Sequence, residues 1–184
     1  MKNYLIIDDF FDNPNNIREY ALNQKFYSPE EHPYNIFNFP GVRTTYINEL
    51  DYNLWNNIFN KILLSISQLT NNYIDLDFYD QWNWSSFSQT FEDLKEYLPL
   101  WHRDFIDDDS LYFVGVCYLN PNPPKNSGTM IKVRDGNEHI IENKFNRFLI
   151  YSNDLVHSSQ GSFGKNKNDA RMVLTHATKL SLKY

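Results

Sequence analysis

Three side chains of the kind that hold redox metals stand along this sequence. The segment Leu100-Trp101-His102-Arg103-Asp104 sets an imidazole and a carboxylate two positions apart, and in extended backbone such a pair projects from one face. The two can share one metal ion. A third ligand must come from elsewhere, and His157 stands in Leu155-Val156-His157-Ser158, just past an apolar run over 147–151. Two imidazoles and one carboxylate cover one side of an octahedral ferrous ion and leave the other side for O₂ and an organic co-ligand. Such a centre is that of an oxygenase and not of a closed structural site. Further on, Arg171, Val173 and Thr175 share one face of a predicted strand, which places a guanidinium in an apolar, hydroxyl-lined interior. A guanidinium grips a carboxylate through two parallel charge-assisted hydrogen bonds. Arg171 is therefore the candidate clamp for the far carboxylate of a dicarboxylic co-substrate whose near end chelates iron. The plainer reading of Arg171 is a salt bridge with Asp154 or Asp169.

These residues need elements to carry them. An apolar run over 4–7 reads as a strand, and Asn13-Pro14 as the start of a helix over 14–24, with Asn13 as cap. Residues 30–43, with Pro33, Pro40 and Gly41, read as an irregular loop. The strongest helical pattern is 51–69, where Leu54, Trp55, Ile58, Phe59, Ile62, Leu63, Ile66 and Leu69 recur at three- and four-residue intervals. A stripe that wide is expected to cover a sheet. Beyond Thr70 the chain breaks into short segments rich in aromatic and β-branched residues, separated by Asn, Asp, Gly and Pro. Strands are predicted over 73–79, 82–91, 112–119, 129–133, 139–142, 147–151 and 171–177, with Asp135-Gly136-Asn137 as a hairpin turn. The expected fold is α+β but mainly β: a double-stranded β-helix, or jelly roll, with N-terminal helices packed on one sheet. The chain reads as a single domain over 1–184, with 1–70 a helical support and 71–184 the jelly-roll core.

Composition narrows the partners. The 184 residues carry 23 acidic against 17 basic side chains, a net charge of −6 that disfavours nucleic acid and anionic lipid as ligands. No apolar run reaches the roughly 18–20 residues that span a bilayer. One cysteine, Cys117, cannot form an internal disulfide, and no signal segment opens the chain, so a cytoplasmic location is expected.

At these residues the chain resembles the 2-oxoglutarate and Fe(II)-dependent dioxygenases, in particular their compact prolyl-hydroxylase-like members. The resemblance rests on the ordered set His102-x-Asp104, His157 and Arg171. Around it stand Val116-Cys117-Tyr118-Leu119-Asn120, Gly128-Thr129 and Asn146-Arg147-Phe148, and the opening Asp8-Asp9-Phe10-Phe11 with Pro14, Arg18 and Ala21-Leu22 is also similar. The resemblance implies Fe(II), 2-oxoglutarate and O₂ as the working set. It further implies decarboxylation of 2-oxoglutarate to succinate and CO₂ and hydroxylation of an unactivated C–H bond. Many prolyl hydroxylases use Lys for the distal carboxylate, and Arg171 departs from that pattern, which weakens proline as the expected substrate. A peptide side chain and a small molecule both stay open.

Other candidates follow from strand parity. Tyr112, Val114, Val116 and Tyr118 share a face, and Tyr118 is preferred to Tyr112 as a 2-oxoglutarate contact, with Thr129 and Thr175 beside it. His32, His139 and His176 read as surface or packing residues, His176 having the opposite parity to Arg171. Residues 105–110 and the loop over 30–43 read as rims of an entrance. Two rival functions remain: a cupin-type iron enzyme that does not use 2-oxoglutarate, and a non-catalytic jelly-roll binding module.

Overall fold

A computed structural model describes residues 3–34, 39–71, 74, 79–97, 100–104, 111–133, 136–152 and 154–182. The chain runs β1 (Tyr4–Ile7), α1 (Pro14–Leu22), β2 (Val42–Arg43), α2 (Ile47–Leu50), α3 (Tyr52–Thr70) and β3 (Tyr79–Thr90). A 3₁₀ helix (Glu92–Tyr97) follows. Then come β4 (Leu111–Tyr118), β5 (Thr129–Lys132), β6 (Glu138–Ile141), β7 (Phe148–Ser152), β8 (Val156–Ser159) and β9 (Arg171–Leu182). They form a six-stranded sheet in the order β1-β7-β4-β9-β3-β2 and a three-stranded sheet in the order β6-β5-β8. Among the described residues every strand pairing is antiparallel. The mainly β jelly-roll class expected from the sequence is the fold observed.

Alternation along each strand divides the interior in two. On β7, Phe148 and Ile150 join Phe87, Met172 and Leu174 in a core with Ile58, Ile62, Ile66 and Leu69 of α3. Leu149 and Tyr151 point the other way, into a second cluster with Val114, Ile131, Ile141 and Leu155 that joins the two sheets. The helix is there because its stripe is apolar and because its start is held: the Asp51 carboxylate accepts from the Leu54 N–H at 2.9 Å. Each large aliphatic side chain so buried contributes roughly 1.5–3 kcal/mol.

Several expectations need correction. Asn13 precedes α1 but its side chain makes no capping hydrogen bond, and the helix ends at Leu22, short of residue 24. β1 is the strand expected over 4–7, but the first 70 residues also supply a second strand of the six-stranded sheet, β2. β2 lies within the expected loop over 30–43: Val42 pairs with Gln89 and Arg43 with Ser88. Gly41, with φ +79°, allows that approach, since a Cβ there would fall 2.0 Å from the Gln89 carbonyl oxygen. β8 was not among the expected strands, because Val156-His157-Ser158-Ser159 has neither the length nor the apolar alternation of one. The expected strand over 73–79 lies outside the described residues except for Ile74 and Tyr79, as do the acidic loop over 105–110 and Asp135 of the hairpin turn. Among the described residues no helix is long and apolar enough to cross a membrane.

Candidate active site

The pairing of two short segments brings the two histidines together. His102 N–H donates to the His157 carbonyl at 3.0 Å, and His157 N–H donates back to the His102 carbonyl at 3.0 Å. Residues directly opposite in an antiparallel pair present their side chains on one face. The imidazole centroids accordingly stand 4.4 Å apart. Asp104, two positions beyond His102, reaches the same face, with Oδ1 3.5 Å from His102 Nε2 and Oδ2 3.3 Å from His157 Nε2. One ligand atom from each of the three residues lies within 4.8 Å of the others.

The hydrogen bonds behind the rings decide which nitrogen faces inward. His102 Nδ1 lies 2.7 Å from the Leu100 carbonyl and His157 Nδ1 3.3 Å from the Leu155 carbonyl. A carbonyl only accepts, so each Nδ1 carries its proton and each neutral ring presents the Nε2 lone pair to the cluster. Two lone pairs and a carboxylate then converge with no donor between them, and the arrangement calls for a cation. A proton answers in part: the Asp104 hydrogen bond raises the His102 pKa against burial. Burial would raise the Asp104 pKa, but the His102 and His157 hydrogen bonds win and hold it well below the usual carboxylate range. The donor set, with backbone carbonyls orienting both imidazoles, fits a divalent metal. His157 is 7% exposed and Asp104 30%, so one side of the cluster opens outward. Tyr151, with its ring 4.8 Å from that of His157, closes another side.

The inner face of the large sheet carries the second group. Arg171 is only 5% exposed. Its Nε donates to the Ser127 carbonyl at 2.9 Å, and the Tyr118 ring centroid lies 5.8 Å from its guanidinium carbon. Among the described residues no carboxylate comes within ion-pair distance of it. Asp169 instead accepts from the Lys165 and Asn166 N–H groups at 2.9 and 2.8 Å, which removes the plainer reading of Arg171. Burial pulls the Arg171 pKa down, offset in part by Tyr118. The Tyr118 hydroxyl donates to Thr129 Oγ1 at 2.7 Å, so Arg171, Tyr118 and Thr129 form one buried group. Thr175 lies further along the same face, its hydroxyl donating to the Ser86 carbonyl at 3.2 Å with Ser88 Oγ at 3.3 Å.

Two residues of this face were not singled out by sequence reasoning. Thr90 stands opposite Arg171 in the β3–β9 register, and its Oγ1 is buried with no hydrogen-bond partner among the described residues. A buried cation without an anion beside an orphan hydroxyl is costly unless a ligand meets both. Thr90 has the strand parity of Trp84, Ser86 and Ser88, but nothing in the sequence says which face looks inward. Arg43 is the other; it sat in an expected loop. The three excluded histidines do pack elsewhere. His176 Nδ1 meets Ser85 Oγ at 2.7 Å, His32 Nε2 meets the Thr44 carbonyl at 3.2 Å, and His139 Nδ1 meets the Tyr4 hydroxyl at 2.8 Å. Tyr112 lies under Lys179, whose Nζ is 5.1 Å from the ring centroid.

Residues 1–135 match the model of a family described as a family of unknown function, DUF6445. The chain belongs to the DUF6445 family. The matched part includes His102, Asp104, Tyr118 and Thr129 and stops before His157 and Arg171. No curated protein matches the chain. Solved structures share its fold at low identity. An oxidoreductase of the 2OG-Fe(II) oxygenase family from Burkholderia pseudomallei is 8% identical with a TM-score of 0.64, over 96% of this chain and 84% of that one. A prolyl-4-hydroxylase from Pseudomonas putida is 15% identical with a TM-score of 0.53, over 100% and 95%. A prolyl hydroxylase from Trichoplax adhaerens, in complex with a hypoxia inducible factor oxygen degradation domain peptide fragment, is 13% identical with a TM-score of 0.58, over 98% and 84%. This member of DUF6445 thus has the fold of the prolyl-hydroxylase-like 2-oxoglutarate oxygenases, as the sequence resemblance implied.

Proposed function

We propose that this protein is an Fe(II)- and 2-oxoglutarate-dependent oxygenase that hydroxylates a small molecule or a peptide side chain. The observation that carries the reading is the convergence of His102, Asp104 and His157 within 4.8 Å on the same interior as a buried, carboxylate-free Arg171. His102 Nε2, His157 Nε2 and one Asp104 oxygen would hold the metal. Arg171 would receive the distal carboxylate of 2-oxoglutarate, with Tyr118, Thr129 and Thr175 lining its path. When bound, the iron supplies activation of O₂, so that 2-oxoglutarate, O₂ and a substrate C–H become succinate, CO₂ and C–OH.

The chain's own part is geometric. The Leu100 and Leu155 carbonyls hold both rings with Nε2 inward, and the carboxylate stays ionised at neutral pH between them. Arg171 sits in a fixed place because its Nε is committed to Ser127, leaving the other edge of its fork for an anion. Tyr151, Val114 and Leu149 keep water from the inner side. A lone, buried Cys117 suits a reducing cytoplasm, and one domain over 1–184 suffices for the chemistry.

The test is an anaerobic titration with ferrous iron and 2-oxoglutarate. A weak visible charge-transfer band is expected in the intact protein and not in His102→Ala. An intact protein with no band overturns the proposal, and succinate release separates it from an iron enzyme that does not consume 2-oxoglutarate.

A further inference from the structure

Arg43 is a second interior cation that the reading above leaves without a task. It pairs with Ser88 across β2 and β3, and Ser88 shares its face with Ser86, whose cross-strand neighbour is Thr175. The side chain therefore belongs to the inner face of the large sheet, beside the metal cluster. Asp104 lies near enough for its charge to favour the guanidinium, although burial dominates and pushes the Arg43 pKa down to about 10.

The guanidinium is held on three sides. Its Nε donates to Ser88 Oγ at 3.0 Å, and its carbon lies 4.5 Å from the Phe39 ring centroid and 5.2 Å from that of Trp84. Stacking on two rings fixes the plane of the fork. The Nη edge, by contrast, has no hydrogen-bond or ion-pair partner among the described residues. Asp104 does not serve, because its two oxygens already face His102 and His157. A half-buried, rigid, half-satisfied guanidinium is a poor structural device, since a hydrocarbon between two rings would pack as well without the cost of partly desolvating a charge. It is a good anion receptor.

We infer that Arg43 anchors a carboxylate of the substrate, so that the molecules this enzyme oxidises are carboxylic acids. The inference rests on the oxygenase reading and gives it a substrate class. A carboxylate fits better than a phosphate: two Nη donors match two oxygens, and the flanking Phe39, Trp84 and Tyr46 rings suit an apolar body next to the acid. The other interior guanidinium, Arg171, is assigned to 2-oxoglutarate, so the two arginines divide two anions between them.

The test uses the protein loaded with Zn(II) and saturating 2-oxoglutarate, which fills the Arg171 site without turnover. Phenylacetate and phenylacetamide are compared as probes by saturation-transfer NMR and calorimetry. The acid is expected to bind about tenfold more tightly than the amide. Arg43→Met keeps the stack and should bring the two to parity, and Arg43→Lys should recover only part of the preference. Equal binding of acid and amide by the unmodified protein overturns the inference, as does no binding of either, an undiminished preference in Arg43→Met, or tighter binding of phenyl phosphate than of phenylacetate. Should Arg43→Met fail to fold, the acid–amide comparison in the unmodified protein and in Arg43→Lys still decides. A portion of the same purified protein, loaded anaerobically with Fe(II) in place of Zn(II), is first checked with 2-oxoglutarate for the ferrous charge-transfer band. Its absence refutes the oxygenase reading, whereas its presence with acid–amide parity refutes only the role of Arg43.

Discussion

The two faces of the large sheet are made by the same strands and are opposite in kind. The outer face, under α3, holds Phe87, Phe148, Ile150, Met172 and Leu174. Where it holds polar groups it pairs them: His176 meets both Ser85 and Thr178. The inner face holds Trp84, Ser86, Ser88, Thr90, Tyr118, Arg171 and Thr175, with one orphan hydroxyl and a guanidinium lacking any carboxylate partner among the described residues. One face has settled its interactions within the chain, and the other keeps unmet polar groups among the described residues. A sheet can do both because its side chains alternate with a period of two, so each strand contributes to a packed support and a polar inner face at once.

The difference can be broken from either side. The largest effect is expected for His157→Ala, which should reduce succinate release to the level without protein while the fold, read by circular dichroism, persists. Retained turnover would remove His157 from the chemistry. On the outer face, Ile62→Ala should lower stability by about 2–5 kcal/mol in a urea titration through the cavity it leaves. The 2-oxoglutarate affinity of the folded fraction should stay within about twofold, since additivity holds for distant sites. A parallel loss of affinity would mean that the two faces are not separable.

Arg171→Met tests the same contrast in reverse. Without ligand the variant should be at least as stable as the unmodified protein, because an unpaired buried charge is replaced by hydrocarbon. With iron present, 2-oxoglutarate at a hundredfold excess over its Kd should stabilise the unmodified protein by about 2.7 kcal/mol and the variant hardly at all. A thermal shift equal in both forms would take the clamp away from Arg171. The smallest effect, taken per pH unit, is that of acid. Burial pushes the His176 pKa down to about 3, from an ordinary value near 6.5, so the native state takes up its proton later than the unfolded one. The stability due to neutral His176 is complete above pH 6.5 and declines as pH falls from there towards 3, by up to about 1.4 kcal/mol per pH unit. His176→Gln should flatten that part of the profile. An unchanged slope between pH 6 and 4 would assign the acid sensitivity elsewhere.

That His102, Asp104 and His157 could meet was readable before any coordinates, and how they do so was not. His102-x-Asp104 on extended backbone, His157 past an apolar strand and Arg171 on a strand with Thr175 were recognisable from residue type, spacing and family resemblance. The long apolar stripe of α3 was equally plain, because a period near 3.6 over nineteen residues is a local property. β8 escaped because four residues with a polar end carry too little pattern, and its strand character comes from pairing with β5 and with His102. Arg43 escaped for a similar reason. Two residues after a glycine have no periodicity, and only the edge of β3 on one side and a bridge to Tyr27 on the other make them a strand.

By itself, then, the sequence determined the covalent inventory and the local rhythm: two histidines and an aspartate of metal-ligating type, an arginine on a strand with apolar and hydroxyl neighbours, one amphipathic helix and a succession of short strands. Only the tertiary structure decided which side of each strand faces the chamber, which nitrogen of each imidazole points inward, and that Arg43 stands there with a free edge. The reason is physical. Alternation and periodicity are fixed by neighbours along the chain, whereas register, tautomer and an unmet charge are fixed by partners brought near from far along it.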